Sequence, residues 1–238
     1  MGKLNTVLFG KYQLCRILGT GRLGTVFLAV HLGLSEYRAI KRVPKSFLEY
    51  DQFRREALIL KELRHPGIPI IYDLEIDENY YYLIEEYLYG ESLYARIERT
   101  GSLQTGELIR LGIELCRIMN YLHSFKPNPI LYLDLHPGNL LICREQLKLI
   151  DFDQAALASL SQERSVCYGT KGFAAPEQYE GGTLDERTDI YAIGALLYYM
   201  GTGHAPEGEI KAGQGSCRGD LYILMGRCLR IEKKERCQ

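Results

Sequence analysis

Three features that this 238-residue sequence lacks narrow the classes of protein to which it can belong. It has no excess of positive charge: 29 Lys and Arg stand against 30 Asp and Glu, which gives a net charge of −1. It also has no run of about 18 apolar residues, and its richest apolar stretch, 190–200, is too short to cross a bilayer. We therefore expect neither a nucleic-acid partner nor a membrane span.

Paired cysteines are the third absence. The chain has seven cysteines, but no CxxC pair occurs among them and no secretory segment precedes them. Zinc sites and small disulfide-stapled folds use closely spaced cysteine pairs, and structural disulfides belong to secreted proteins. We expect reduced thiols, no zinc site and a cytoplasmic location.

The residues that are present suffice for one enzyme-sized domain. Hydrophobic residues make up 46% of the chain, and we find no internal repeat, low-complexity tract or linker rich in Pro and Ser. We predict a single domain over residues 1–238.

The first part of the chain has the pattern of an antiparallel sheet with one helix. Residues 12–18 and 25–30 are rich in β-branched and apolar residues on either side of a glycine-rich turn, and 75–88 is typical of a hairpin around a turn at 77–79. The helix is indicated by apolar residues at helical spacing before a stop at 64–67, namely Phe53, Ala57, Leu60 and Leu63.

Beyond Gly90 the pattern becomes helical. One long helix is indicated by Leu108, Leu111, Leu115, Ile118 and Leu122, and another by Ile193, Leu196, Leu197 and Met200. We predict an α+β chain with a strand-rich N-terminal lobe at about 1–87, a mainly helical C-terminal lobe at about 88–238, and a hinge at 87–90.

Three side chains with oxygen ligands lie close together in the sequence. Asn139 follows Asp134 by five residues, and Asp151 follows Asn139 by twelve. Phosphoryl transfer needs a carboxylate to orient the attacking hydroxyl, and the metal ions on a nucleotide need oxygen ligands. The plain alternative is three polar residues that cap turns, but the joint spacing favours a site for a nucleotide and magnesium.

A glycine-rich segment precedes this site in the chain. Gly19, Gly21 and Gly24 form a GxGxxG string, which also opens dinucleotide-binding folds, where a strand turns into a helix. Here strand patterns flank the glycines on both sides, which favours a hairpin whose backbone N–H groups approach phosphate oxygens.

In order and spacing, segments 19–26, 38–41, 134–139, 151–153 and 175–177 resemble the motifs of the protein kinase superfamily, in particular the bacterial Ser/Thr kinases. The resemblance covers nearly the whole chain. It implies a two-lobed α+β fold with a small antiparallel-sheet N-lobe, ATP and Mg2+ as cofactors, and transfer of the γ-phosphate to Ser/Thr hydroxyls of a protein substrate.

The resemblance also assigns roles to individual residues. Catalysis falls to Asp134, Lys41 and His136, and metal binding to Asn139 and Asp151. Nucleotide binding falls to Gly19, Gly21, Gly24, Val26, Ala39, Lys41, Glu56, the hinge backbone at Glu86 and Leu88, and Leu141. In the family, Lys41 would hold the α- and β-phosphates while paired with Glu56, and Asp134 would orient the attacking hydroxyl.

Further family features concern packing and the substrate. Segment 169–177 resembles the one that closes the activation loop and docks protein substrates, and it predicts a buried pair between Glu177 and Arg236. The stacked apolar column of active kinases would comprise Leu60, Ile71, Tyr132 and Phe152, with Asp189 at its base.

The chain departs from the family pattern at several positions. Leu133 replaces an Arg, His136 a Lys and Asp153 a Gly, and Glu85 stands where an apolar residue is usual. Leu133 cannot receive a phosphate as Arg does. We therefore predict activity independent of phosphorylation at Ser159, Ser161, Ser165 or Thr170, with Thr170 hydrogen-bonded near Asp134 and His136 instead.

These departures keep two alternatives open. Segments 134–139 and 150–153 are close to loops of aminoglycoside phosphotransferases and choline kinases, which phosphorylate small hydroxyl compounds. The second alternative is a pseudokinase that serves as a scaffold. Such a protein has no chemical reason to keep Lys41, Glu56, Asp134, Asn139 and Asp151 together. The last helix of the family pattern is missing after residue 238, so we expect a partner or a further segment to cover apolar residues in 221–229.

Overall fold

The computed structural model describes residues 6–21, 23–161, 169–207 and 219–237. The chain divides into two compact units, Met1–Tyr89 and Gly90–Gln238.

The N-terminal unit is a six-stranded antiparallel sheet with one helix. Its strands are β1 (Val7–Leu8), β2 (Tyr12–Thr20), β3 (Thr25–His31), β4 (Glu36–Pro44), β5 (Ile71–Ile76) and β6 (Tyr80–Glu86), in the spatial order β1-β2-β3-β4-β6-β5. Helix α1 (Tyr50–Leu60) lies between β4 and β5 in the chain.

The two faces of this sheet pack against different parts of the unit. One face carries the hydrophobic core of the unit: Tyr12, Leu14, Phe27, Ala29, Ile40, Tyr82 and Ile84. Side chains alternate between the two faces along a strand, so Lys41 lies on the face opposite to that of its neighbour Ile40. Val26 and Leu83 are paired with Lys41 on the adjacent strands and therefore share its face. Helix α1 packs on that second face, where Phe53 stacks on Tyr81 with ring centroids 5.1 Å apart.

The predicted hairpin and helix are present, with one difference in length. Asp77 closes the hairpin because its Oδ1 accepts hydrogen bonds from the N–H groups of Asn79 and Tyr80, both at 2.8 Å. Helix α1 ends at Leu60 and not at Leu63, because the N–H of Leu63 bonds to the carbonyl of Leu60, three residues back, and tightens the last turn.

The C-terminal unit is mainly helical, as predicted. Its helices are α2 (Leu93–Thr100), α3 (Thr105–His123), α4 (Ala158–Ser161), α5 (Pro176–Glu180), α6 (Glu186–Thr202) and α7 (Asp220–Cys228), with 3-10 turns at Pro137–Asn139 and Lys233–Glu235. Its strands are β7 (Glu91–Ser92), β8 (Ile130–Leu131), β9 (Leu140–Cys143), β10 (Gln146–Leu149) and β11 (Ala156–Leu157). They form two small sheets, β10-β9-β7 and β11-β8.

Helix α6 is the centre of this unit. It is buried along most of its length, and its N-terminus is capped by Asp185, which accepts a hydrogen bond from the N–H of Arg187 at 2.9 Å. A Cβ at Gly194 would lie 2.5 Å from the Cβ of Cys228 on α7. Glycine at this position therefore permits the close approach of α7 to α6.

Helix α7 buries only one side. Tyr222 and Met225 are buried, whereas Ile223 is 61% exposed and Leu224 is 43% exposed. Among the described residues, no helix has the length and apolar character to cross a membrane. The described cysteines, at 15, 116, 143, 228 and 237, form no disulfide with one another, and those at 167 and 217 lie outside the described residues.

Candidate active site

In the N-terminal unit, the predicted pair of Lys41 and Glu56 is formed. The Nζ of Lys41, on β4, lies 3.0 Å from Oε2 and 3.3 Å from Oε1 of Glu56, on α1. Both residues are buried, with exposed fractions of 6% and 4%. Two buried charges are tolerated here because each compensates the other, so the pair fixes α1 against the sheet.

The glycine hairpin joins β2 to β3 and its three glycines have different surroundings. The N–H of Gly21 bonds to the carbonyl of Gly24 at 2.9 Å and closes the turn. A Cβ on Gly24 would lie 2.1 Å from the carbonyl oxygen of Arg42, whereas a Cβ on Gly19 or Gly21 would meet no atom within 4 Å in the described part of the chain, chain neighbours aside. Packing therefore explains glycine at Gly24, but it gives no reason for glycine at the other two positions.

The other predicted nucleotide-binding residues of this unit lie on the sheet and at its end. Ala39 is on the same face of β4 as Lys41, two residues away, and Val26 lies directly opposite Lys41. Glu86 ends β6, and Leu88 follows it outside any strand. Glu85 lies opposite Ala39 in the register and so belongs to the face of Lys41.

In the C-terminal unit, the backbone before Asp134 is held by Asp189 at the start of α6. Its Oδ2 accepts from the N–H of Tyr132 at 2.9 Å, and its Oδ1 accepts from the N–H of Leu133 at 2.8 Å. His123 lies on the same carboxylate, with Nε2 2.9 Å from Oδ2. Asp189 therefore anchors Tyr132, the residue of the predicted apolar column that lies next to it in this unit.

Leu133 has an unusual backbone conformation, and its side chain is buried among apolar residues. Its φ of 66° is unusual for a side chain other than glycine. It is 2% exposed and packs in an apolar cluster with Leu131, Ala156 and Leu184. The position next to the Asp134 carboxylate is therefore apolar, without a cation from residue 133.

Asp134 lies between a hydroxyl and an imidazole. Its Oδ1 accepts a hydrogen bond from the Oγ1 of Thr170 at 2.9 Å, and its Oδ2 lies 3.9 Å from the Nε2 of His136. Burial raises the pKa of the Asp134 carboxyl above its ordinary value, while His136 opposes this shift. Burial also lowers the pKa of His136, which favours a neutral ring at pH 7.

Asn139 is suited to hold a metal ion. It is buried, and its Nδ2 donates to the carbonyl of Asp134 at 3.1 Å, which orients the amide and leaves Oδ1 for a metal ion. The N–H of Ile150 bonds to the carbonyl of Asn139 at 2.9 Å and ties the strand before Asp151 to this turn. Amide and carboxylate oxygens are ligands that Mg2+ accepts, so the donor set fits the expected ion.

Tyr132 and Phe152 support the second predicted metal ligand. The hydroxyl of Tyr132 donates to the carbonyls of Ile150 at 2.5 Å and Asp151 at 2.9 Å. Its ring packs edge-on against Phe152 with centroids 5.2 Å apart. Asp151 itself has a φ of 61° and is held in this unusual conformation by its buried neighbours. The C-terminal half of the predicted apolar column is thus present.

Segment 169–177 is fixed at both ends. At one end Thr170 bonds to Asp134, as predicted, and its carbonyl accepts from the N–H of Phe173 at 3.0 Å. At the other end Glu177 forms the predicted pair with Arg236, through distances of 2.6 and 2.8 Å. Of the serines before this segment, Ser159 is exposed and Ser165 lies outside the described residues.

One supporting residue was missed by sequence reasoning. Gln178 is 2% exposed, its Nε2 donates to the carbonyl of Leu133 at 2.8 Å, and its Oε1 accepts from the N–H of Ala175 at 3.0 Å. It therefore joins segment 169–177 to the backbone immediately before Asp134. Its position directly after Glu177 was the only available signal.

Comparison with known proteins places this site in a family. The family description "protein kinase domain" matches residues 12–236. The serine/threonine-protein kinase PrkC of Bacillus subtilis is 34% identical over 209 residues, which are 84% of this chain and 32% of that protein. The serine/threonine-protein kinase PknB of Mycolicibacterium smegmatis is 33% identical over 213 residues, covering 82% of this chain and 33% of that protein.

A eukaryotic relative shows the same likeness. Aurora kinase B of Danio rerio is 32% identical over 200 residues, which are 82% of this chain and 61% of that protein. The chain thus spans about a third of the length of the two bacterial relatives. Because the match includes segment 169–177 as well as segment 134–139, it favours the protein kinases over the small-molecule phosphotransferases. The chain belongs to the protein kinase domain family.

Proposed function

We propose that this chain transfers the γ-phosphate of ATP to Ser or Thr hydroxyls of protein substrates, with Mg2+ as cofactor, and that residues 1–238 are one kinase domain. The observation that carries the proposal is the hydrogen bond from Thr170 to Asp134 at 2.9 Å. It joins the catalytic carboxylate to segment 169–177, the segment that in this family docks protein substrates.

Each residue of the site has a task in this proposal. Lys41, held by Glu56, binds the nucleotide phosphates, and the hairpin with Gly19 and Gly21 covers them. Asn139 and Asp151 hold Mg2+, which neutralises phosphate charge when bound. These tasks agree with the buried ion pair at Lys41 and with the oriented amide of Asn139.

The remaining assignments concern the adenine and the acceptor. Val26, Ala39 and Leu141 pack against the adenine, and the backbone at Glu86 and Leu88 hydrogen bonds to it. Gly24 is assigned to the packing of the hairpin, since Arg42 fills the space beside it. Asp134 orients the acceptor hydroxyl and accepts its proton.

The test is a transfer assay with γ-labelled ATP and Mg2+. Acceptors are a mixture of generic proteins rich in Ser and Thr, an aminoglycoside, and choline. We expect label on protein hydroxyls and none on the small compounds. Lys41→Met is the inactive control because it removes the phosphate-binding ammonium. Label on a small hydroxyl compound and never on protein would replace this proposal with the small-molecule alternative.

A further inference from the structure

His136 occupies the position at which protein kinases resembling this chain have a lysine, and its ring is held by the chain itself. The Nδ1 of His136 accepts a hydrogen bond from the backbone N–H of Gly138 at 3.1 Å. A nitrogen that accepts this bond carries no proton. In the neutral ring, the hydrogen must then be on Nε2.

Gly138 leaves the space that this ring needs. A Cβ built on Gly138 would lie 2.8 Å from Cε1 and 3.1 Å from Nδ1 of His136, and apart from its chain neighbours it would meet no other atom of the described residues within 4 Å. Gly138 does not have a positive φ, so its backbone conformation is open to other residues. A side chain at this position would therefore have to displace the His136 ring.

The nitrogen that carries the hydrogen faces the catalytic carboxylate. Nε2 of His136 lies 3.9 Å from Oδ2 of Asp134, too far for a direct hydrogen bond. An oxygen atom about 2.8–3.0 Å from each of them would accept from Nε2 and donate to Oδ2. A hydroxyl group fits this gap, because it is both an acceptor and a donor.

The other oxygen of Asp134 is already used. Its Oδ1 accepts from Thr170 at 2.9 Å, so the carboxylate presents Oδ2 toward His136. With Nδ1 accepting from the N–H of Gly138, the ring in this arrangement is uncharged and donates through Nε2 alone, unlike the lysine of the family.

We propose that Gly138 holds His136 as its neutral Nε2–H tautomer, and that this N–H donates a hydrogen bond to the acceptor hydroxyl that Asp134 orients. The donor role rests on the proposed function, whereas the tautomer does not. Lysine has donors only and could not accept the N–H of Gly138. His136, oriented by Gly138, therefore offers a neutral Nε2–H donor where the family has the charged ammonium group of a lysine.

The tautomer is tested without any ligand. The chain has five histidines, so ¹⁵N-histidine-labelled protein gives few signals, and His136→Ala identifies the one of interest. At about pH 8, where an ordinary imidazole is neutral, two-bond ¹H–¹⁵N spectra should show a protonated Nε2 and a bare Nδ1 for His136. A proton on Nδ1, or on both nitrogens, would overturn the proposal.

The role of Gly138 is tested by a double-mutant cycle. Gly138→Ala should lower turnover on a protein acceptor by about tenfold, or 1.4 kcal/mol on the barrier, with the KM for ATP unchanged. In a His136→Ala background the same change should have no further effect beyond about twofold, since the ring is then gone. Gly106→Ala, where a Cβ would meet nothing within 4 Å, is the matched control and should keep full turnover.

Thermal unfolding of the same variants gives a second reading. Gly138→Ala should lower the melting temperature in the wild-type background and not in His136→Ala. Equal losses in both backgrounds, in stability or in turnover, would show that Gly138 acts without His136 and would overturn the proposal. A wild-type chain that labels no protein would overturn the proposed function and the donor role, while the spectra and the stability cycle would still decide the tautomer.

Discussion

Arg236 holds Glu177 through two hydrogen bonds, from Nη1 to Oε1 at 2.6 Å and from Nη2 to Oε2 at 2.8 Å. The side chain of Arg236 is fully buried and that of Glu177 is 12% exposed. The guanidinium also donates to the carbonyls of Arg187, Arg230 and Ile231. The pair therefore ties segment 169–177 to the residues that follow α7.

Loss of this cation should be costly. Arg236→Met leaves Glu177 buried without a partner charge, so the free energy of unfolding should fall by about 3–5 kcal/mol. Urea unfolding measures the change. Arg99→Met is the matched control, because Arg99 pairs with Glu91 at the surface with 57% of its side chain exposed, and its loss should be much smaller. Similar losses for both variants would contradict the account.

Substitutions in the glycine hairpin should have different effects on stability and on nucleotide binding. Gly24→Ala pushes a methyl group onto the carbonyl of Arg42 and should lower the free energy of unfolding by about 1–3 kcal/mol. Gly21→Ala meets nothing within 4 Å and should leave stability nearly unchanged, but it should weaken the thermal stabilisation by Mg-ATP. If Gly21→Ala kept the full response to Mg-ATP, the hairpin would not approach the phosphates closely.

Turnover should not depend on phosphorylation of the serines that precede segment 169–177. A phosphate orders a loop only where a cation receives it, and Leu133 lies in an apolar cluster where the family has Arg. Phosphatase-treated protein and the triple variant Ser159→Ala, Ser161→Ala and Ser165→Ala should match the untreated chain in rate. A loss of about tenfold, or 1.4 kcal/mol on the barrier, would mean that another cation serves this purpose.

Stability should depend on pH through His136. Burial lowers its pKa in the folded chain, so below about pH 6.5 the unfolded chain binds a proton that the folded chain does not. The free energy of unfolding should therefore decrease as pH falls below this value, down to the folded pKa. His136→Gln should weaken that dependence in urea unfolding measured from about pH 5 to pH 7.5. An unchanged slope in the variant would contradict the lowered pKa of His136.

The pH dependence of stability that Asp134 causes has the opposite sign and begins at a lower pH. Burial raises its pKa, so the folded chain keeps a proton that the unfolded chain releases near pH 3.9, and stability falls as pH rises from there to the folded pKa. The slopes of stability against pH therefore have opposite signs for the two residues. The sign of the slope, together with its loss in His136→Gln, attributes the change below about pH 6.5 to His136.

Much of the fold was predictable because local rules and tertiary packing agree. The hairpin around Asp77 follows from alternating strands and a turn residue whose side chain bonds to the backbone. Helix α3, Thr105–His123, follows from the apolar spacing of the residues it buries. Site residues such as Asp134 and Asn139 were identified by their spacing within a known motif.

What sequence reasoning missed depends on contacts between distant residues. Gln178 supports the catalytic turn through the carbonyl of Leu133, which lies 45 residues away in the chain. The need for glycine at Gly24 comes from Arg42 on the neighbouring strand. The end of α1 at Leu60 is set by a tighter last turn, while Leu63 remains buried just beyond it. None of these has a local signature in the sequence.

The most direct test of the account is Asp134→Asn, which keeps the shape of the side chain and removes its charge. We expect transfer to protein hydroxyls to fall by about 10²-fold or more, because the acceptor loses its orienting carboxylate. Thermal stabilisation by Mg-ATP should persist, since Asp134 serves the acceptor and not the nucleotide. Asp73→Asn, at a half-exposed position on β5, is the control and should keep full transfer. Undiminished transfer by Asp134→Asn would contradict the central claim.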